Sequence, residues 1–361
     1  LLTVCSSLLP TNSFTFFSCR VMDLSQFNFP FDHALVAKYP VHPRDHARLL
    51  VLTRSTGDII DRQVKDLPNI LRPGDLLVVN NTKVIPARLW AKKVPSGGRV
   101  ELLFVKEIGE DHAEVLIQGK VGVGQIVECE GSARAQVVEK EPGRTVIHWL
   151  GPGALRTWLL SHGEIPLPPY LKRQPVARDQ EDYQTVFAKV DGAIAAPTAG
   201  LHFTPQLITQ LEEKGIGTVT VTLHVGPGTF QPVKTTDITR HIMHPEWFEV
   251  SEETAKRIRE VRKQGGRIVA VGTTVARSLE SALDDTGELR PRSGETRLFI
   301  LPGFKFRVLD GLLTNFHFPE TTLLMLVAAF AGLEEVRNAY VHAVCERYRF
   351  YSYGDAMLIL E

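Results

Sequence analysis

The chain has 361 residues, 43% of them apolar and 23% charged, an ordinary balance for a folded protein. That balance excludes a largely disordered chain, and the length suggests about two domains. Lys and Arg number 41, as do Asp and Glu. Zero net charge excludes a protein basic over its whole surface, while a local basic patch stays open.

The first 21 residues hold no Met and no basic residue before Arg20. A secretory signal wants an early positive charge. Residues 1–21 are therefore expected to be a non-native or disordered extension, with Met22 opening the working chain. Cys5, Cys19, Cys129 and Cys345 show no CxxC spacing, which reads as free thiols in a reducing cytoplasm. Residues 22–72 are mixed, with several Pro and His. Residues 73–152 carry short β-rich runs at 76–79, 88–92, 100–105, 113–118, 126–130, 135–139 and 145–149. Gly-containing turns separate them, and the pattern predicts a small β-barrel.

From residue 153 the pattern alternates. Thr204-Pro205 opens a helix that Gly215 stops. A strand is predicted over 218–225 and a helix from Ser251 to Gly265, with acids at its positive end. A continuous apolar strand follows at 268–271, a helix at 275–283, a strand at 298–301, and helices at 323–331 and 336–347. This is an α/β pattern with a mostly parallel sheet and flanking helices. The expected organisation is one α/β domain from 22–72 and 153–361, with 73–152 inserted as the barrel. The longest apolar run, 323–333, contains Gly332 and falls short of the ~18 residues a membrane span needs.

Ligands of open α/β sheets bind beyond the C-terminal strand ends. Four loops qualify: 197–202, 224–230, 272–277 and 314–322. In the first, Thr198 and Gly200 let a flat ligand approach, and His202 is either a neutral base or a satisfied structural histidine. In the second, His224 precedes Gly226 and Gly228; the dinucleotide fingerprint lacks its third Gly, so a close ligand approach or a plain tight turn remains. In the third, Thr273 and Thr274 can cap a helix that favours an anion, and Arg277 adds a cation. No P-loop pattern is present. In the fourth, Asn315 and His317 are polar among aromatics. Tyr351, Tyr353 and Asp355 put two aromatic faces and a carboxylate in one segment, which suits a cation or is simply a C-terminal edge strand. His241 and His244 lack a third ligand or an adjacent Glu, so no metal is expected. Lys83, Arg88, Lys92, Lys93 and Arg99 form either an RNA-phosphate patch or a solvated face.

Taken together these strings resemble the S-adenosylmethionine:tRNA ribosyltransferase-isomerase family of queuosine biosynthesis. The matching segments are 75–88, 183–186, 195–203, 222–225, 246–249, 272–274 with 277–280, 310–317 and 353–357, in order along the chain. The chain departs from the family pattern at Asp182, Pro227 and Gln231. The resemblance implies an α/β domain with an inserted barrel, working as a monomer. It implies transfer of the ribosyl part of S-adenosylmethionine to 7-aminomethyl-7-deazaguanine at the tRNA wobble position. The product is epoxyqueuosine, with adenine and methionine released. S-adenosylmethionine is then a consumed co-substrate, and no other cofactor is demanded.

On that basis the base that removes the acidified C5′ proton is expected to be His202, His224 or His317. Asp355 is expected to offset the sulfonium charge. Arg277, with Thr273 and Thr274, is expected to hold the methionine carboxylate, and Thr198, Gly200, Gly226, Gly228, Asn315 and Tyr353 to line the substrate. Lys83, Arg88 and Lys92 are expected to meet tRNA. A tRNA methyltransferase using the same co-substrate is the competing enzyme reading, and a non-catalytic RNA-binding protein is the third.

Overall fold

The structure is a computed structural model and describes residues 22–226, 228, 233, 235 and 237–361. Residues 1–21, Pro227 and Gln231 lie outside the described residues, so the expectations attached to them are not taken further.

A nine-stranded sheet forms the main layer. Its order is Arg292–Thr296, Glu246–Val250, Gly217–Leu223, Leu76–Asn80, Ile268–Val271, Gly311–Asn315, Ala356–Leu360, Arg48–Thr53 and Ile59–Gln63. The four strands from Gly217–Leu223 to Gly311–Asn315 run parallel. The two at the centre are almost wholly apolar, as burial on both faces requires. Leu76–Asn80 is buried at every position, and so is Ile268–Val271. The outer strands add antiparallel pairs on both sides, so the sheet is mixed.

Helices cover both faces. Thr204 caps Pro205–Glu213 by accepting from the Leu207 N–H, and Ser251 caps Glu252–Lys263 by accepting from Thr254. Thr322–Ala331 is apolar nearly all round and sits in the core with Leu333–Cys345. No helix among the described residues is long and apolar enough to cross a membrane.

Six antiparallel strands close the barrel in the order Arg144–Trp149, His112–Gln118, Arg99–Ile108, Arg88–Val94, Ile126–Cys129 and Arg134–Glu141. Alternate residues such as Leu89, Ala91, Val100, Leu102, Val127 and Val137 fill its interior, following the period-two rule for strands. Closure removes the sheet edges that would otherwise template aggregation.

Three details differ from expectation. The run at 76–79 belongs to the centre of the large sheet, so residues 73–84 are not barrel; Thr82–Val84 pairs instead with Val190–Ala193. Both kinds of strand are short and β-branched, and composition alone does not separate them. The strand predicted at 298–301 is irregular, and the real strand is the polar Arg292–Thr296. It is an edge strand with little burial, hence no apolar signal. Arg48–Thr53 and Ala356–Leu360 form a parallel pair next to the Ile59–Gln63 edge, which the sequence pattern does not predict.

Candidate active site

The four parallel strands end on one edge of the sheet, and the segment before Ala356–Leu360 returns to it. The loops gathered there enclose a cavity of 390 Å³, within the range of small-molecule sites. Its wall includes Thr198, Thr273, Thr274, Asn315 and His317, five of the expected residues. Tyr170, Phe318, Tyr351 and Ser352 complete it.

One end is the start of helix Thr273–Ser281. Gly272 supplies the turn at φ 100°, a left-handed value that favours glycine. Val275 and Ala276 both donate to the Gly272 carbonyl at 3.2 Å. The Thr273 and Thr274 N–H groups thus lie outside the helix ladder and give the site a partial positive charge. Neither threonine caps the helix through its side chain, contrary to expectation; Thr274 Oγ1 instead accepts from Asn80 Nδ2 at 3.3 Å. Asn80 also grips both backbone groups of Leu223, locking two strand ends together.

The opposite wall is aromatic. Phe318 and Tyr351 rings lie 3.3 Å apart by centroid, and Tyr170 and Tyr351 4.2 Å apart. The Tyr170 hydroxyl bonds to Ser352. Tyr351 sits at φ 72°, costly for a non-glycine residue and held by Asn315 Nδ2 donating to its carbonyl at 2.9 Å. Tyr351 belongs to the C-terminal segment expected to meet a cation and Phe318 to the aromatics around Asn315 and His317, whereas Tyr170 comes from a distant segment with no such signal.

His317 reaches the cavity with Nε2 2.9 Å from the Thr314 hydroxyl, and its backbone N–H donates to Tyr340. Burial pushes its pKa down to about 3, so the ring is neutral at physiological pH. His202 is buried behind the wall, where it lines a separate small pocket, and its pKa falls to about 4, mainly through burial and against the pull of Asp355. Neither its Nε2 nor Asn315 Oδ1 makes a well-aligned hydrogen bond. His224 lies in a neighbouring cavity, its pKa also lowered by burial.

Several expected ligand contacts are placed elsewhere. Asp355 does not line the cavity: it accepts from the Arg48 and Arg349 N–H groups and pairs with the Arg349 guanidinium at 3.0 Å. Two backbone donors and a cation already satisfy this carboxylate. No Asp, Glu, Lys or Arg lines the cavity among the described residues. Arg277 is turned inward to a buried ion pair with Glu246, and its Nε donates to the Leu298 carbonyl. Tyr353 donates to Asp179 at 3.0 Å in a buried cluster. A Cβ on Gly200 would come 3.0 Å from Thr185, and one on Gly228 2.8 Å from His244. These glycines serve packing. The Gly226 N–H donates to Glu246.

The basic patch also divides. Arg88 is largely buried, pairing with Glu101 at 2.8 Å and donating to the Leu167 carbonyl. It is a barrel strut and is not available to phosphates. Lys83 pairs with Asp191 at 3.6 Å, half exposed, and Lys92 is exposed on the barrel.

The queuosine biosynthesis protein family matches residues 24–359 of this chain. An S-adenosylmethionine:tRNA ribosyltransferase-isomerase of Xanthomonas oryzae is 47% identical, covering 94% of this chain and 97% of that protein. The enzyme of the same name from Pelobacter propionicus is 48% identical and covered completely. The crystal structure of S-adenosylmethionine tRNA ribosyltransferase from Thermotoga maritima superposes with a TM-score of 0.53 at 37% identity, over 93% of this chain and 100% of that one. The match spans both the sheet and the barrel, and the chain belongs to the queuosine biosynthesis family of S-adenosylmethionine:tRNA ribosyltransferase-isomerases.

Proposed function

We propose that the chain transfers and isomerises the ribosyl part of S-adenosylmethionine onto 7-aminomethyl-7-deazaguanine at the tRNA wobble position. The products are epoxyqueuosine in tRNA, free adenine and free methionine. The reading is carried by one observation: a cavity walled by aromatic rings, a helix N-terminus and a neutral histidine, with no ionised side chain among its described residues.

Each part meets a demand of that chemistry. The methionine carboxylate suits the N–H groups of Thr273 and Thr274, which replace the role expected of Arg277. The sulfonium lies against the faces of Tyr170, Phe318 and Tyr351, which attract a cation without neutralising it. A sulfonium left without a carboxylate keeps its full electron-withdrawing pull on the C5′ proton. It also meets no carboxylate nucleophile able to steal its methyl group. His317 is the one of the three candidate histidines on the cavity wall, and its low proton affinity keeps it in the base form. Asn315 is placed to orient the ligand, its Nδ2 already fixed by Tyr351.

S-adenosylmethionine is consumed as a co-substrate, and no metal or redox cofactor takes part. The protein works as a monomer in the cytoplasm, with Lys92 among its tRNA contacts. Incubation with S-adenosylmethionine and tRNA carrying the aminomethyl base tests the reading by its products. Adenine and methionine in equal amounts are expected. S-adenosylhomocysteine would instead establish methyl transfer and overturn it.

A further inference from the structure

A second cavity, 240 Å³, lies between the barrel and the sheet and meets the first at Val225. It differs in chemistry: charged side chains line it, and both layers contribute. Trp247 projects into it from strand Glu246–Val250, whose alternation sends Glu246, Phe248 and Val250 inward. One side of the indole is covered by His224, centroids 5.1 Å apart and planes 20° apart. Trp247 is still 37% exposed and lines the cavity.

His224 is fixed as a backing for that ring. Its Nδ1 is 2.8 Å from the Thr82 hydroxyl. Behind it lies Gly192 at φ 153°, where a Cβ would come 2.7 Å from the imidazole. The next residue, Asp191, also lines the cavity. The Arg156 guanidinium holds its backbone carbonyl at 3.1 Å. The Asp191 carboxylate faces Lys83 at 3.6 Å, a half-exposed pair that water and ligands reach. Four other acids line the cavity: Glu246 is engaged by Arg277 and the Gly226 N–H, Glu114 and Glu295 face Lys106, and Glu107 is turned to solvent.

We propose that this second cavity receives a single extruded, cationic nucleobase of the RNA, stacked on Trp247, with its ammonium group on the Asp191 carboxylate. The inference rests on the function proposed above, which supplies a purine-like base bearing an aminomethyl group. An enzyme acting on one base of a folded RNA takes that base out of its stack and reads it by stacking and hydrogen bonds. The size admits one base. The contact at Val225 brings the base alongside the co-substrate cavity, as transfer between the two requires. Lys83 at the rim then finds a nucleotide phosphate when the ligand's ammonium takes its place on Asp191.

The test is binding of two anticodon stem-loops, one with the aminomethyl base and one with guanine, to the wild type, Asp191→Asn, Trp247→Ala and Trp247→Phe. Wild type is expected to favour the aminomethyl stem-loop. Asp191→Asn should weaken that stem-loop by about tenfold or more and leave the guanine one unchanged, because only the former has the charge-assisted bond. Trp247→Ala should weaken both by about tenfold, with Trp247→Phe restoring most of the loss. Affinity for S-adenosylmethionine alone, in the first cavity, should not change in any variant. An unaltered preference in Asp191→Asn, or unaltered binding in Trp247→Ala, overturns the proposal. Failure of the functional reading looks different: wild type would bind both stem-loops yet return them with unchanged mass after incubation with S-adenosylmethionine.

Discussion

The two adjoining cavities solve opposite problems with opposite materials. The first is built from strand ends, rings and a helix start, with no ionised side chain among the described residues. The second sits where the barrel meets the sheet and is crossed by ion pairs, Lys106 with Glu295 at 3.7 Å among them. A reactive sulfonium gains from a wall that leaves its charge active, whereas an RNA base with a cationic arm needs a fixed counter-charge. The comparison teaches that charge is kept at the seam and out of the reaction chamber. The buried Arg277–Glu246 pair borders the second cavity through Glu246.

Breaking that pair should have the largest effect. Arg277→Met leaves the Glu246 carboxylate without its guanidinium, at a cost of about 3 kcal/mol in stability. Thermal or urea unfolding measures it, and an unchanged midpoint would show that the pair does not brace the seam. Next comes His317→Ala. A lost general base lowers kcat by about a hundredfold, with S-adenosylmethionine affinity held within a few-fold. Wild-type turnover by this variant would remove His317 from the mechanism.

The neutral histidines make a pH prediction with a definite sign. His202 and His317 have folded-state pKa values near 4 and 3, below the ordinary 6.5. The unfolded chain therefore binds more protons between those limits, and stability falls as pH drops from 6.5 towards 4. Each histidine contributes a slope of up to about 1.4 kcal/mol per pH unit. Unfolding midpoints across that window should flatten in His317→Asn, and an identical slope would contradict the burial argument. The smallest effect belongs to the barrel surface. Lys92→Ala should leave the melting temperature unchanged and reduce the salt dependence of tRNA binding by about one unit of slope. Arg88→Ala should do the reverse, lowering stability through the loss of its Glu101 and Leu167 partners.

Two parallel strands were legible, Gly217–Leu223 by its alternating β-branched residues and Ile268–Val271 as a continuous apolar run, and the helix starts at Thr204 and Ser251 are marked by their caps. The loops carrying Thr198, Thr273, Thr274, Asn315 and His317 followed from the rule for strand ends. What escaped was direction. Arg277 and Asp355 lie near the right loops in sequence, yet both are consumed by internal partners, which only packing decides. Of the aromatic wall, Tyr351 and Phe318 lie in segments whose aromatics were legible, and Tyr170 escaped because it joins them only through the fold. Strand Leu76–Asn80 was assigned to the barrel because a short β-branched run looks the same in either setting.

The uncharged lining of the first cavity bears on selectivity and inhibition. Where a carboxylate grips a sulfonium, an uncharged sulfur analogue binds far more weakly. Here only the ring faces sense that charge, worth about 0.5–2 kcal/mol. Neutral thioether analogues of the co-substrate should therefore compete within about thirtyfold of it. Such compounds carry no transferable methyl and no acidified C5′ proton, so they would occupy the chamber without turning over. The same economy of charge that keeps the substrate reactive leaves the enzyme open to inert mimics of it.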